Sequence, residues 1–458
     1  MPVEYHLVEV PIPEIKIYLE KTQKSKKIFE EAQKYVPGGV ASPIRYCKPY
    51  PFYVTKGYGS RIWDVDGNEY IDNLMSYGAM TAGHRNPKVV EYIKKFIDEK
   101  FTMVGIPTPE MVELAKEITK KIPTMEMVRF CNSGLEATMH CVRLARAVTG
   151  RNKIIKIEGG YHGCHDYLLI SEKPKNYAQM GPPDSPVSFP NSPGTPEEVV
   201  KLTLVVQFND IDSLEKLLRK QGNEVAAIIL EPILTSSGII LPKDDYLKEV
   251  RRLCDYYNIL MILDEVKTGF NASMSAAHLE YGVEPDLVAL SKAIGGGAPL
   301  AVFGGKREYM EEVAPVGPFL HFGTYNGNPL SVAAGLAAVK EVFTEDTQHR
   351  RFRLNEELCK GLNNALEDLK IKGKVICTGA MHVILFGLDE EPKNFREAFR
   401  CNKIAWYKYW IRMITQGVIP CGNAWFEQGF ISAMHTKEDV DIIIEKAYEA
   451  LKGVKEII

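Results

Sequence analysis

Between Pro109 and Leu290 short, largely apolar runs alternate with stretches of helical periodicity, and few folds accept that order. The pattern predicts helix Pro109–Lys121, strand Met127–Cys131, helix Leu135–Val148, strand Lys153–Ile157, strand Ala226–Leu230, helix Tyr246–Tyr257, strand Ile259–Leu263 and a last strand Leu287–Leu290. Runs without polar alternation are strands covered on both faces, and the intervening helices supply the cover. The expected fold is therefore α/β with a mostly parallel central sheet. Right-handed crossovers set the carboxyl ends of most of these strands along one edge, which is where a ligand should sit.

The flanks read differently. Residues 14–36 carry a helical pattern that stops at Pro37-Gly38-Gly39, and an exposed loop runs from Val40 to Tyr50. From Pro51 strand-forming runs are separated by the turns Lys56–Gly59 and Asp66–Asn68, the pattern of an antiparallel meander. A long helical pattern starts at Ser331 and passes Phe343; strands follow near Gly379–Phe386 and Gly429–Ala433, and the last helix covers Lys437–Leu451. The expected organisation is an N-terminal helical arm over 1–36, a large α/β domain over 84–339, and a smaller α+β domain built from both chain ends, 37–83 with 340–458. Between Ser171 and Glu197 prolines stand at 174, 182, 183, 186, 190, 193 and 196, so this stretch is either a lid or a surface excursion.

Composition removes several function classes. The 458 residues are 45% hydrophobic and 25% charged with a net charge of -3, which gives no basic field to collect nucleic acid. The N-terminal sequence has acidic residues where a signal peptide needs a positive flank, and no stretch approaches a membrane span. The nine cysteines form no CxxC pair and no zinc-spaced cluster, and Cys164 between His162 and His165 lacks a distant fourth ligand. A cytoplasmic, reducing location and no metal are expected.

Several groups fall at the expected strand edge. Lys292 follows the strand Leu287–Leu290 and precedes Gly295-Gly296-Gly297; it is either a Schiff-base nucleophile or a strand-end lysine bent to water. Asn132-Ser133-Gly134 joins a strand to a helix, which suits a phosphate or simply caps the helix. Asp264 ends a very apolar strand; it pairs with a protonated ring nitrogen or with a backbone N–H. Tyr161-His162-Gly163 offers an aromatic face for a planar ring or a packed loop aromatic. Gly323-Thr324-Tyr325-Asn326-Gly327-Asn328-Pro329 precedes a helix, as a second phosphate site or a turn. A phosphate cradle, an aromatic face, a carboxylate for a ring nitrogen and a lysine for an aldehyde are together the parts that pyridoxal 5'-phosphate requires.

From about Ala32 to the C-terminus the sequence resembles the class III aminotransferases of PLP fold type I, with the greatest likeness to the glutamate-1-semialdehyde 2,1-aminomutases. The motifs that carry it are VPGGVASPIR, WDVDGNEYID, AGHRNP, PTMEMVRFCNSGLEAT, IEGGYHG, LDEVKTGF, SKAIGGGAPL, FGTYNGNP and AWFEQGF. The resemblance implies Lys292 as the lysine bonded to the cofactor aldehyde, Asp264 on the pyridinium nitrogen, Tyr161 and Val266 on the two ring faces, and Ser133, Gly134 and Leu135 at the phosphate. It also implies that Thr324 reaches the phosphate of a neighbouring subunit, which makes the enzyme a homodimer with shared active sites. On the substrate side it implies Arg45 as a carboxylate clamp, Glu427 facing the amino groups and Tyr77 in the place of a tryptophan. Three departures stand out: Leu135 for a threonine, Lys267 and Asn271 after Asp264-Glu265-Val266, and Glu172-Lys173-Pro174-Lys175-Asn176 where the aminomutases carry a Gly-Ser-Gly gate. An aminomutase must retain its intermediate behind a closing lid. The expected activity is therefore transfer between an amino acid, with its amine at the α or a more distant carbon, and a keto or aldehyde acceptor. The alternatives are the aminomutase reaction, which forms 5-aminolevulinate for tetrapyrrole synthesis, and an amino-acid racemase or epimerase of the same fold.

Overall fold

The apolar runs assemble into a seven-stranded sheet in the order Met127–Cys131, Ala301–Gly305, Leu287–Leu290, Leu260–Asp264, Val225–Leu230, Lys153–Ile157, Thr203–Val206. This is a computed structural model, and it describes residues 13–455; the first part of the expected arm, residues 1–12, lies outside the described residues. Ala301–Gly305 runs against both neighbours, pairing Ala301 with Cys131 and Val302 with Leu290. The other pairs are parallel, so Cys131, Ile157, Leu230, Asp264 and Leu290 end at one edge. Every residue of Val225–Leu230, Leu260–Asp264 and Leu287–Leu290 is buried, which is why these runs show no polar alternation. The helix Gly134–Thr149 covers one face, burying Ala137, Cys141, Leu144 and Ala145 against Ile154, Ala227, Ile229 and Ile262. Each fully buried aliphatic side chain of Leu or Ile size contributes about 1.5–3 kcal/mol.

The chain forms two compact units. One takes Lys88–Thr344 with Pro392–Glu397; the other takes the described residues through Pro87, Glu345–Glu391 and the stretch from Ala398. In the second unit the meander Val54–Tyr58, Arg61–Asp64, Glu69–Asp72 is antiparallel, and Val418–Ile419 joins its edge in parallel, Val418 opposite Ile71. A three-stranded antiparallel sheet orders Gly373–Thr378, Met381–Phe386 and Gly429–Phe430. The helices Glu345–Asp368, Lys403–Thr415 and Lys437–Lys455 complete this unit.

Two predicted helices are interrupted. The arm breaks at Thr22 into Glu14–Lys21 and Gln23–Ala32, with the Thr22 hydroxyl donating to Tyr18 O at 2.6 Å and so offering the backbone a local alternative. The pattern from Ser331 is realised as Pro329–Leu336, a π-helical turn Ala337–Val342 and a separate helix from Glu345. Among the described residues no helix is long and apolar enough to cross a membrane.

Candidate active site

The helix Gly134–Thr149 starts where the strand Met127–Cys131 ends, and its first turn is built by its own sequence. Ser133 has extended backbone and its hydroxyl accepts the Glu136 N–H at 3.3 Å, while the Glu136 carboxylate accepts the Asn132 N–H at 2.6 Å. The N–H groups of Gly134 and Leu135 then have no acceptor within the helix and lie at its positive end. Glycine is required at 134 because a Cβ there would lie 2.8 Å from Val266 Cγ1. At Gly163, with φ +99°, a Cβ would lie 2.9 Å from Leu135 Cα. Thr138 Oγ1 donates to His162 O at 2.6 Å. Ser133, Gly134, Leu135, Val266 and the turn that carries Tyr161 are thereby packed on one another.

Asp264 is buried, and both its oxygens are occupied. Oδ1 accepts the Val266 N–H at 2.9 Å and Oδ2 accepts His162 Nδ1–H at 2.7 Å. That donation fixes the imidazole tautomer, and the buried His162 Nε2 has no partner among the described residues. His165 is pushed down to about 4 by burial, with His162 adding to the effect, and stays neutral. Lys292 sits two residues beyond the strand beside Asp264, which pairs in register with Ala289. Its backbone is left-handed, φ +50°, and the chain then turns through Gly296 at φ +56°, where a Cβ would lie 2.8 Å from Ala334 O.

Tyr161 is 45% exposed in the turn that follows the strand Lys153–Ile157. Thr324 lies in an exposed turn tied back to the helix start, since Asn132 Nδ2 donates to Asn326 Oδ1 at 3.0 Å. Helix-end N–H groups, a buried carboxylate, a lysine on the adjacent strand and an aromatic face form a donor set that fits a phosphorylated pyridine aldehyde. Among the described residues no group of three or more His, Cys, Asp or Glu could hold a metal ion.

The remaining expected residues belong to the other unit, where they gather. Tyr77 Oη donates to Ile44 O at 2.7 Å, next to Arg45. A Cβ at Gly422 would lie 2.7 Å from Glu427 Cγ and 2.9 Å from Tyr77 Cε1, so the glycine admits both side chains. Burial drives the Tyr77 phenol well above its usual range; Glu427 adds to this and Arg45 opposes it. Glu427 is buried and Arg45 exposed. Met75, Ser76 and Tyr77 all have left-handed backbone, φ +43°, +52° and +60°.

The proline-rich segment is held rather than hanging. The buried Arg396 forms a two-pronged pair with Glu158 at 2.7 and 2.9 Å, and its remaining donors reach Gly181 O at 2.8 Å and Met180 O at 3.0 Å. Gln207 Nε2 donates to Pro183 O at 2.6 Å, and Asn191 and Glu172 bond at 2.8 Å. Sequence reasoning missed His162 as the partner of Asp264, Gly422 as the space under Glu427, and the Asn132–Asn326 tie. The motif Tyr161-His162-Gly163 was visible, but a pairing across 102 residues was not.

Comparison with known proteins fits this geometry. Among solved structures, an omega-transaminase from Sphaerobacter thermophilus superposes with a TM-score of 0.89 at 30% identity, covering 96% of this chain and 99% of that one. A glutamate-1-semialdehyde-aminomutase from Pseudomonas aeruginosa PAO1 gives 0.87 at 25% identity, covering 96% and 97%. The fold is that of the PLP-dependent transferases of fold type I. The family profile described as "Aminotransferase class-III" matches residues 45–451, and the chain belongs to that family of enzymes. Glutamate-1-semialdehyde 2,1-aminomutase of Archaeoglobus fulgidus is 44% identical over 432 residues, 94% of this chain and 100% of that protein. The protein of the same name from Methanocella arvoryzae is 41% identical over 435 residues, 95% and 100%.

Proposed function

We propose that the chain binds pyridoxal 5'-phosphate at the strand ends and moves the amino group of glutamate-1-semialdehyde to the neighbouring carbon, forming 5-aminolevulinate. The observation that carries this reading is the near full-length similarity to proteins named for that reaction, at 44% and 41% identity. It supports the aminomutase reaction better than the transfer between two molecules that the altered gate suggested. No amino donor or acceptor is consumed in sum, because the amine leaves one carbon and the aldehyde carbon beside it receives one.

When bound, the cofactor supplies the electron sink that stabilises negative charge on the carbon losing a proton. The protein does the rest. The N–H groups of Gly134 and Leu135, with the Ser133 hydroxyl, hold the phosphate at the helix end. Asp264, kept in place by His162 at 2.7 Å, keeps the ring nitrogen protonated. Tyr161 and Val266 pack on the two ring faces. Lys292 Nζ is the group that would hold the cofactor aldehyde, and its free amine would carry a proton to and from the reacting carbon. The Arg45 guanidinium pairs with the substrate carboxylate, and Glu427 and Tyr77 face the substrate amino groups. The exposed Phe322 (82%), two residues from Thr324, is apolar surface that a second copy would cover, and in that assembly Thr324 would reach the partner's cofactor phosphate. Nine free thiols support a cytoplasmic, reducing setting.

A second reading, transfer to a separate keto or aldehyde acceptor, is favoured by Glu172-Lys173-Pro174-Lys175-Asn176 in place of the Gly-Ser-Gly gate. Purified, cofactor-loaded enzyme is incubated with glutamate-1-semialdehyde alone. Sustained 5-aminolevulinate formation is expected; a single stoichiometric burst that resumes only when an amino acceptor or donor is added selects the second reading instead.

A further inference from the structure

We infer that Lys156 is a positioning residue of this site, an internal ammonium that locks the turn carrying Tyr161 to the root of the proline-rich segment. Lys156 lies inside the strand Lys153–Ile157, between Val205 and Ile229 of the flanking strands, and is 0% exposed. A lysine in the middle of a seven-stranded sheet is costly unless its donors are satisfied. Here the side chain runs toward the carboxyl edge and Nζ donates to two carbonyls, Gly160 O at 2.8 Å and Ile170 O. Gly160 precedes Tyr161 directly. Ile170 precedes Ser171 and Glu172, where the proline-rich segment departs.

The two loops that Lys156 joins are tightly placed, and the second carries a left-handed serine. Gly159 has φ +79°, and a Cβ there would lie 2.5 Å from Phe395 and 2.6 Å from Ser237 Oγ. Ser171 is left-handed at φ +48°, held by its N–H to Phe189 O at 2.9 Å and its hydroxyl to Val187 O at 2.9 Å. One backbone bond, Gly159 N–H to Ser171 O at 2.9 Å, runs parallel to the lysine link. Burial pushes the ammonium down to about 7 against the opposing pull of Glu172, Glu158 and Glu231. Glu158 is engaged with Arg396, and the Glu231 carboxylate accepts from the Thr235 and Ser236 N–H groups. No carboxylate pairs directly with Nζ among the described hydrogen bonds, so the interaction that justifies burial is the crosslink between carbonyls.

The consequence for the site rests on the cofactor reading given above: the aromatic face at Tyr161 and the start of the segment keep one spacing because one side chain holds both. The test compares wild-type holoenzyme with Lys156→Met, which keeps the length of the side chain and loses its donors. Hydrogen exchange by mass spectrometry should rise about tenfold or more in peptides covering 158–163 and 170–176 together, the loss expected for hydrogen bonds to a charged donor. Exchange in Leu260–Asp264 should stay at the wild-type level, and the dissociation constant for pyridoxal 5'-phosphate should rise by a similar factor. Unchanged exchange, a uniform rise over the whole chain, or a rise at only one of the two loops overturns the inference. If Lys156→Met does not fold, Lys156→Leu, which also removes the donors, is compared in the same way and must show the coupled rise. A wild-type protein that takes up no cofactor refutes the cofactor reading, while the exchange comparison still decides the crosslink.

Discussion

At the residue scale, the two groups at the centre of the site answer to different tests. Lys292 holds a left-handed backbone, φ +50°, which costs a non-glycine residue about 1–3 kcal/mol and persists only where its surroundings fix it. Alanine keeps the same stereochemistry, so Lys292→Ala should fold normally and bind the cofactor without a covalent link. Turnover should fall by at least about 10²- to 10⁴-fold, the usual worth of a positioned proton carrier. Near-normal turnover in that variant would remove Lys292 from the mechanism. For Asp264 the pairing with His162 separates charge from geometry. In Asp264→Asn the side-chain oxygen still accepts His162 Nδ1–H and only the Val266 N–H loses its acceptor, so activity should drop with a smaller loss of thermal stability than full truncation causes. In Asp264→Ala the buried imidazole also loses the acceptor at Nδ1, and Nε2 already has no partner among the described residues. An unsatisfied buried donor costs about 1–3 kcal/mol, so this variant should also unfold earlier. Equal melting temperatures for the two variants would show that the His162 contact carries no stability.

At the scale of elements, Ser133 caps a helix and, on the proposed reading, also holds a ligand, and two substitutions pull these roles apart. As N-cap of Gly134–Thr149 its hydroxyl accepts the Glu136 N–H. Ser133→Ala should cost about 1 kcal/mol of stability and Ser133→Gly only a few tenths. Both lose the hydroxyl, so cofactor affinity, measured by titration of its absorbance, should fall equally in the two. Affinity that tracks stability instead would leave Ser133 as a cap alone. The strand ends and this helix start were legible because their signals are local: apolar runs bounded by turns, and a Ser-Gly step before a helical pattern. The strand Ala301–Gly305 was not, because two glycines close it and it runs against its neighbours. Thr203–Val206 was hidden directly behind the proline-rich stretch, whose own alternatives the sequence left open. The Asp264–His162 bond in one unit and the space made by Gly422 in the other depend on chain crossings that no local pattern encodes. Motif likeness, by contrast, reached Arg45, Tyr77 and Glu427, residues far apart in sequence that the fold gathers in one unit.

At the scale of the whole molecule, buried histidines in both units make the protein sensitive to acid. Burial pushes His140 and His165 down to about 4 in the unit that carries Lys292, and His382 down to about 3 in the other, where His435 is also held low by burial. An unfolded histidine titrates near 6.5. Between that pH and about 4 the unfolded chain binds protons that the folded chain refuses, so the stability these groups confer is present above pH 6.5 and is lost as pH falls through that window. Glu158, raised by burial, acts in the opposite sense, since its folded form binds a proton first. With four histidines against it, the net loss by pH 4.5 should be on the order of a few kcal/mol. The two units can be followed separately, because all four tryptophans, Trp63, Trp406, Trp410 and Trp425, lie in the unit that contains His382 and His435. Tryptophan fluorescence during urea unfolding should give a lower midpoint at pH 5 than at pH 7.5. His382→Gln, which cannot take up the proton, should narrow that difference without altering the midpoint's direction of change. Identical midpoints at the two pH values in the wild-type protein would show that these histidines protonate in the folded state as readily as in the unfolded chain.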